Sequence, residues 1–239
     1  MEQGSIITGV ADIWKDASTE SERYSQIIYG ESVKILGKKD NFIYIESKDG
    51  VKGYIKKRLV GEYSEKNYKI IKRFKAKNLI LPFGSYINNE DISEMKIPEI
   101  YVSNINKKYD PINLAKKFIG VPYLWGGTSD FGFDCSGLTQ RMIRFGMNYE
   151  IPRNSGQQRD ASTEVKDLEH AKRGDLIFFE GHVGFYLGHN EMLHANGSFS
   201  RITINNLMDN SEYSNMLLSI MQKIGRYKYC HPPANPEDF

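Results

Sequence analysis

Cysteine is nearly absent: Cys135 and Cys230 are the only two in 239 residues. Two thiols cannot build a disulfide framework, and pairing them would consume the better candidate nucleophile, so both are read as free. Histidine is almost as scarce, at five. No apolar run approaches the roughly 18 residues of a membrane-spanning helix, so no membrane is expected as a partner. Nor is there a surplus of charge. The 32 basic and 30 acidic residues leave a net +2, and bulk charge therefore points to neither nucleic acid nor an anionic membrane. Local clusters such as Lys38-Lys39 and Lys56-Lys57-Arg58 read first as solvated loops. The opening Met1-Glu2-Gln3-Gly4-Ser5 lacks the basic and apolar regions of a signal peptide, so a cytoplasmic protein is expected, with secretion by another route left open.

What is present is a 40% apolar chain, enough to bury a full core and leave room for one or two small further domains. Residues 1–62 hold short β-like pieces: Ile6-Ile7, Gln26–Tyr29, Ser32–Leu36, Phe42–Glu46 and Lys52–Ile55, separated by turn residues. Asp49-Gly50 between two of them is a hairpin signal. Closely spaced short strands predict a small all-β barrel, and Tyr29-Gly30-Glu31 followed by Asp49-Gly50 and Gly53-Tyr54-Ile55 resembles bacterial SH3-like domains. Residues 63–108 read as a linker or a truncated second barrel, with strands at Lys69–Lys72 and Leu79–Leu81 and a turn at Pro82–Ser85.

The texture changes at Asp110-Pro111. Asp is a good N-cap and Pro suits the first helical position, so a helix is predicted with Ile112, Ala115, Phe118 and Ile119 on its apolar face and Gly120 at its end. A third segment, 109–239, begins here. A second helix is predicted from Cys135, with Leu138, Met142 and Phe145 at helical spacing and Gly146 closing it. Strands follow at Leu176–Phe179, His182–Leu187, Met192–Ala195 and Arg201–Ile204, with a last one between Met216 and Tyr229. Helices followed by a mostly sequential antiparallel sheet make an α+β domain.

Cys135, His182 and His194 carry the chemical case. A thiol in the first turn of a helix meets unpaired N–H groups and the positive end of the helix dipole, which favour the thiolate. One imidazole can hold that thiolate and protonate a leaving amine, while another polar group orients it. If the two histidine-bearing strands form a hairpin, His182 and His194 can lie side by side. The Cys135 N–H and the Tyr123 hydroxyl are candidate donors to a tetrahedral oxyanion. Each residue also has a plainer use: Cys135 as a small core residue, the two histidines as structural groups or, with Cys135, as zinc ligands, although the spacing fits no short zinc motif. Tyr123 and Trp125 would then be core aromatics, and Asp175 a turn residue. His170, His189 and His231 are read as surface residues, and Cys230-His231 as an ordinary C-terminal tail.

Six ordered segments strengthen the first use. Gly120–Gly127, Phe133–Leu138, Ile151-Pro152-Arg153, Arg173–Phe179, His182–Gly188 and Leu193-His194-Ala195 resemble, in order and spacing, the NlpC-type papain-like cysteine peptidases of bacteria. The resemblance implies that Cys135 is the nucleophile, His182 the general base and acid, His194 the orienting residue and Tyr123 a group near the oxyanion. It also implies a murein peptide as substrate, either a free tripeptide or a stem peptide, cut between the side-chain carboxyl of D-Glu and diaminopimelate or lysine.

The chain resembles more closely the γ-D-glutamyl-L-diamino-acid peptidases with N-terminal SH3-like domains. That likeness implies selection for a free N-terminal L-Ala, with Asp134, Tyr54 and Glu22 around its ammonium, and substrate contacts from Ser136 and Trp125. Where relatives often carry Asp after the Pro-Arg pair, this chain has Asn154, so contacts to the D-Glu α-carboxylate pass to Ser155 and Arg153. A monomeric peptidase of cell-wall recycling is expected, acting without cofactor or metal. Its activity should rise as Cys135 and His182 form an ion pair, and oxidants should abolish it. A wall-cleaving stem-peptide endopeptidase and a non-catalytic wall-binding module are the alternatives.

Overall fold

The computed structural model describes residues 2–228, so Cys230 and His231 lie outside the described residues. The chain divides into two compact units. One takes in the chain up to Lys107 together with Trp125–Phe131, the other Lys108–Leu124 and the chain from Gly132 onward.

The first unit begins with seven strands: β1 (Gln3–Ile6), β2 (Val10–Trp14), β3 (Arg23–Ile28), β4 (Ser32–Lys39), β5 (Phe42–Ser47), β6 (Lys52–Lys56) and β7 (Val60–Glu62). They form an antiparallel sheet in the order β3-β2-β6-β5-β4-β1-β7. Successive side chains of a strand point to opposite faces, and alternate residues of β5, Ile43 and Ile45, go inward to meet Ile6, Ala11, Ile13, Ile27, Val33 and Ile55. Each such side chain contributes about 1.5–3 kcal/mol on burial. Asp49-Gly50 makes the β5–β6 turn, with Gly50 at φ 82°. β2 escapes the sequence reading because Asp12 and Trp14 occupy its outward positions and interrupt the apolar signal.

Residues 63–108 are folded around a core of their own. β8 (Tyr68–Ile70) lies between β11 (Tyr86–Ile87) and β12 (Val102–Asn104), and β9 (Phe74–Ala76) pairs with β10 (Leu79–Leu81). Ile70, Leu81, Ile87 and Ile97 pack there with Tyr29. A helix, α1 (Asn89–Met95), was not foreseen. Its start is nonetheless written in the sequence as a reciprocal cap, the Asn88 side chain taking the Asp91 N–H and the Asp91 carboxylate taking the Asn88 N–H. A two-residue strand, β13 (Thr128–Ser129), completes the first unit, where Thr128 N–H donates to the Gln26 side chain at 3.2 Å.

In the second unit α2 (Pro111–Lys116) starts as predicted, Asp110 accepting from the N–H groups of Ile112 and Asn113. It stops a turn earlier than its apolar spacing suggested: Phe118 is buried, but Ile119 is 49% exposed in the turn that Gly120 closes at φ 89°. After β14 (Gly132–Phe133) comes α3 (Cys135–Met147), buried along its whole length. Gly146 does not end this helix, since Asn148 caps it in the left-handed region at φ 53°. Gly146 is there for close approach: a Cβ would meet the Tyr109 carbonyl oxygen at 2.6 Å.

α4 (Ser155–Ala161) and β15 (Thr163–Val165) lead to β16 (Leu176–Phe179), β17 (His182–Gly188), β18 (Glu191–Asn196) and β19 (Arg201–Asn206), then α5 (Glu212–Ser219) and β20 (Met221–Arg226). The antiparallel sheet runs β15-β20-β16-β17-β18-β19. Four strands are sequential, and β20, the last strand among the described residues, inserts beside β16. Continuous burial of β16 shows that both of its faces are covered. The second unit is thus α+β and the first unit opens with an all-β barrel, the fold class expected from sequence.

Candidate active site

Asp134 is the N-cap of α3, its carboxylate accepting the Gly137 N–H at 2.6 Å. This fixes Cys135 at the first helical position. Arg153 locks the turn by donating to both carboxylate oxygens of Asp134, at 3.0 and 2.5 Å, and to the Ser136 hydroxyl at 3.0 Å. The Gln158 amide donates to the carbonyls of Ser136 and Pro152, and its oxygen accepts from Thr139 at 2.9 Å. The nucleophile's backbone is thus held from three sides. Asp134, Ser136 and Arg153, expected to meet substrate, are bonded here to one another and hold the turn that carries Cys135.

Arg153 is 3% exposed and Asp134 7%. Removing one member of a buried ion pair leaves the other charge uncompensated, so Arg153→Ala is expected to destabilise the protein by about 3–5 kcal/mol. Urea unfolding measures this. A loss below 1 kcal/mol, of the size found for exposed pairs, would show that water compensates Asp134.

The two histidines meet as predicted, by a diagonal contact across the hairpin. β17 and β18 pair Phe185 with Leu193 and Tyr186 with Met192, and continuing that register sets His194 against Gly184. A Cβ on Gly184 would lie 2.9 Å from the His194 Cβ. Glycine therefore opens the space through which His182 Nε2 reaches His194 Nδ1, at 2.6 Å. Behind them, His194 Nε2 lies 2.9 Å from the Asn205 amide oxygen. Tyr213, on α5, stacks on the His194 ring at 6.4 Å between centroids.

Asn205 was not among the sequence candidates. The signal that could have found it is the alternation of β19: Thr203 pairs with His194, so Asn205, two residues on, shares its face.

At His194 Nε2 the 2.9 Å contact to the Asn205 amide oxygen is shorter than the 3.4 Å contact to the Asn196 amide nitrogen, which favours hydrogen on Nε2 and, in a neutral ring, leaves Nδ1 the lone pair. His182 Nε2 must then donate to it, which leaves His182 Nδ1 as the free base. Both rings are neutral: burial pushes His182 down to about 3, helped by the adjacent His194, and pushes His194 down to about 4 against the Asn205 hydrogen bond.

Cys135 lies against the backbone on both sides of His182, its Sγ 4.0 Å from the Gly181 carbonyl oxygen. Burial pushes the thiol up to about 11, the Asp134 carboxylate adds to this, and backbone N–H groups of Val183 and Ser136 oppose it. Desolvation thus works against the expected thiolate–imidazolium pair from both partners, while the backbone N–H groups at the helix start and at Val183 work for it. Cys135 is 7% exposed, so the candidate nucleophile is also a buried residue.

Tyr123 is half-buried and pushed up to about 12, first by burial and then by the nearby Cys135 and Asp134. Its hydroxyl stays protonated at working pH and can donate a hydrogen bond. Ser155 opens α4 and is half-buried. Asp175 is more than a turn residue: fully buried, it receives Nε and NH2 of Arg226 at 2.8 and 2.7 Å.

The remaining site candidates belong to the first unit. Tyr54 lies in β6, tilted against Tyr44 at 4.9 Å, and Glu22 is exposed just before β3. Trp125 is 63% exposed, which removes its use as a core aromatic. Among the described residues no group of three His, Cys, Asp or Glu side chains is placed to hold a metal ion.

Comparison with known proteins agrees with this geometry. Residues 120–221 match the NlpC/P60 family and residues 9–61 the bacterial SH3 domain. Gamma-D-glutamyl-L-lysine dipeptidyl-peptidase of Bacillus cereus is 46% identical over 94 residues, covering 36% of this chain and 28% of that protein. Peptidoglycan endopeptidase RipB of Mycobacterium tuberculosis is 43% identical over 110 residues, covering 39% of this chain and 45% of that protein. The matches thus take in less than half the length of these curated relatives. A crystal structure of an NlpC/P60 family protein from Bacillus cereus superposes with a TM-score of 0.75 at 19% identity, covering 95% of this chain and 99% of that one. Sequence and fold converge, and the chain carries a domain of the NlpC/P60 cysteine peptidase family behind a bacterial SH3 domain.

Proposed function

We propose that the protein hydrolyses murein peptides between the side-chain carboxyl of D-Glu and the following diamino acid. One observation carries the chemistry: Cys135 at a helix start beside a His182–His194–Asn205 chain whose hydrogen bonds leave His182 Nδ1 as a base. The similarity to the gamma-D-glutamyl-L-lysine dipeptidyl-peptidases of Bacillus cereus and Bacillus subtilis supports the choice of bond.

The sulfur attacks the D-Glu γ-carbonyl as His182 Nδ1 takes the thiol proton, so charge forms only as the S–C bond does. The oxyanion accepts hydrogen bonds from the Cys135 N–H and the Tyr123 hydroxyl. His182 returns its proton to the departing amine, leaving a thioester. It then takes a proton from water, whose oxygen displaces the sulfur and regenerates the thiol. His194 stabilises the passing imidazolium through its Nδ1 lone pair.

We place this activity in recycling of small cytoplasmic peptides that carry a free N-terminal L-Ala. The test is product analysis by mass spectrometry on L-Ala-γ-D-Glu-meso-diaminopimelate and its N-acetylated twin. Cleavage of the free-amine peptide alone is the expected result. Equal cleavage of both would keep the peptidase and remove the amine requirement. Release of peptide only from purified sacculi would assign the wall-cleaving alternative.

A further inference from the structure

The basic run Lys56-Lys57-Arg58, read from sequence as a solvated loop, lines a recess of the first unit with a volume of about 830 Å³. Ser18 and Thr19 come to it from the loop between β2 and β3, and Phe42 from the start of β5. No carboxylate lines the recess, and none of the three cations has an ion-pair partner among the described residues. Elsewhere in this barrel Arg23, Lys34, Lys38 and Lys52 pair with acidic side chains, while Lys15 and Lys39 share with these three the lack of an ion pair among the described residues. The walls are held by backbone bonds: Lys57 N–H donates to the Asn41 carbonyl at 2.8 Å, Ser18 N–H to the Asp16 carbonyl at 2.7 Å, and Phe42 pairs with Lys56 across the β5–β6 ladder.

Three uncompensated positive charges facing one concavity focus a positive potential into it. Such a recess is suited to an oxyanion, which charge-assisted hydrogen bonds from Lys and Arg bind best. Its size exceeds what one phosphate needs and falls in the range of about 300–1,000 Å³ that holds whole small molecules. The half-buried Phe42 ring offers an apolar face for the carbon skeleton of a ligand, and the Ser18 and Thr19 hydroxyls offer partners for its hydroxyl groups. We propose that this recess binds the phosphate group of a phosphorylated polyol or sugar, free or within a phosphodiester-linked polymer.

The experiment titrates the full chain with inorganic phosphate, with glycerol phosphate and with a short glycerol phosphate oligomer, following backbone amide shifts. Shifts at Ser18, Thr19 and residues 56–58 are expected. Saturation by the small ligands identifies a free phosphate source, and saturation by the oligomer alone a polymeric one. Replacing two donors that make charge-assisted bonds weakens binding about tenfold or more in Lys57→Gln/Arg58→Gln. The charge-keeping Lys57→Arg/Arg58→Lys variant retains binding, and murein-peptide turnover is unchanged in both. Absence of saturable shifts, equal binding of poly-glutamate of the same charge, tighter binding of an oligonucleotide, or full binding in the Gln variant would each overturn the proposal.

Discussion

Cys135→Ala is expected to lower turnover of the murein tripeptide by roughly 10⁵- to 10⁶-fold, the scale on which removal of a nucleophile acts when the remaining groups only bind and polarise the substrate. The fold should persist, because Asp134, Arg153 and Gln158 hold the start of α3 through groups other than the thiol. Circular dichroism and urea unfolding of the variant check this. The same thiol gives a second readout. Burial and Asp134 push it up to about 11, so without substrate its alkylation by iodoacetamide is slow at pH 7 and rises about tenfold per pH unit, in step with the thiolate fraction. A fast reaction already level at pH 7 would show a preformed ion pair and overturn the neutral resting state. Peroxide, which also needs thiolate, should inactivate the resting enzyme slowly for the same reason.

The resting state shows where sequence reading reaches its limit. A thiol in the first turn of a helix is legible from Asp134-Cys135 and the apolar spacing after it, and so is the tendency of that position to favour negative charge. The opposing desolvation is not legible, because it depends on what the fold brings over the sulfur, including Gly181 in the turn before β17, 46 residues away. The histidine pair was legible as two imidazoles on consecutive strands. Asn205 was not, since its place behind His194 follows from the β18–β19 register and Asn is common in loops.

Local signals also gave the hairpin at Asp49-Gly50 and the cap at Asp110. They failed where a residue serves a distant neighbour: Gly146 reads as a helix stop and in fact admits the Tyr109 carbonyl. Tertiary contact likewise gives Arg153 a partner that its place in the sequence does not show. A Pro-Arg pair near a nucleophile in sequence suggests a carboxylate-binding arm. The fold turns that arm inward onto Asp134.

His194→Ala is expected to lower kcat by about 10³- to 10⁴-fold with little change in KM, the size of effect seen when a catalytic imidazole loses the partner that fixes its tautomer. Without His194 Nδ1 as acceptor, His182 no longer has to keep its hydrogen on Nε2, and the tautomer with hydrogen on Nδ1 cannot accept the thiol proton. Asn205→Ala tests whether the effect reaches one residue further. It removes one buried hydrogen bond of roughly 1–3 kcal/mol, and the expected loss is about 10- to 100-fold in kcat, again without a matching change in KM.

A pH readout separates this role from simple packing. His194 is 1% exposed and is held down to about 4, while in the unfolded chain it titrates near 6.5. Below pH 6.5 the unfolded state therefore takes up a proton that the folded state refuses. The contribution of His194 is full above that pH and falls by about 1.4 kcal/mol per pH unit toward the folded value, and His182, held down in the same way, adds a like slope to wild type and variant. Asn205→Asp puts a carboxylate against Nε2, raises the folded value and narrows that window, so the variant should lose less stability than wild type between pH 6.5 and about 4. An identical acid profile in the two proteins would show that residue 205 does not govern the charge of His194, and would reduce it to a packing residue.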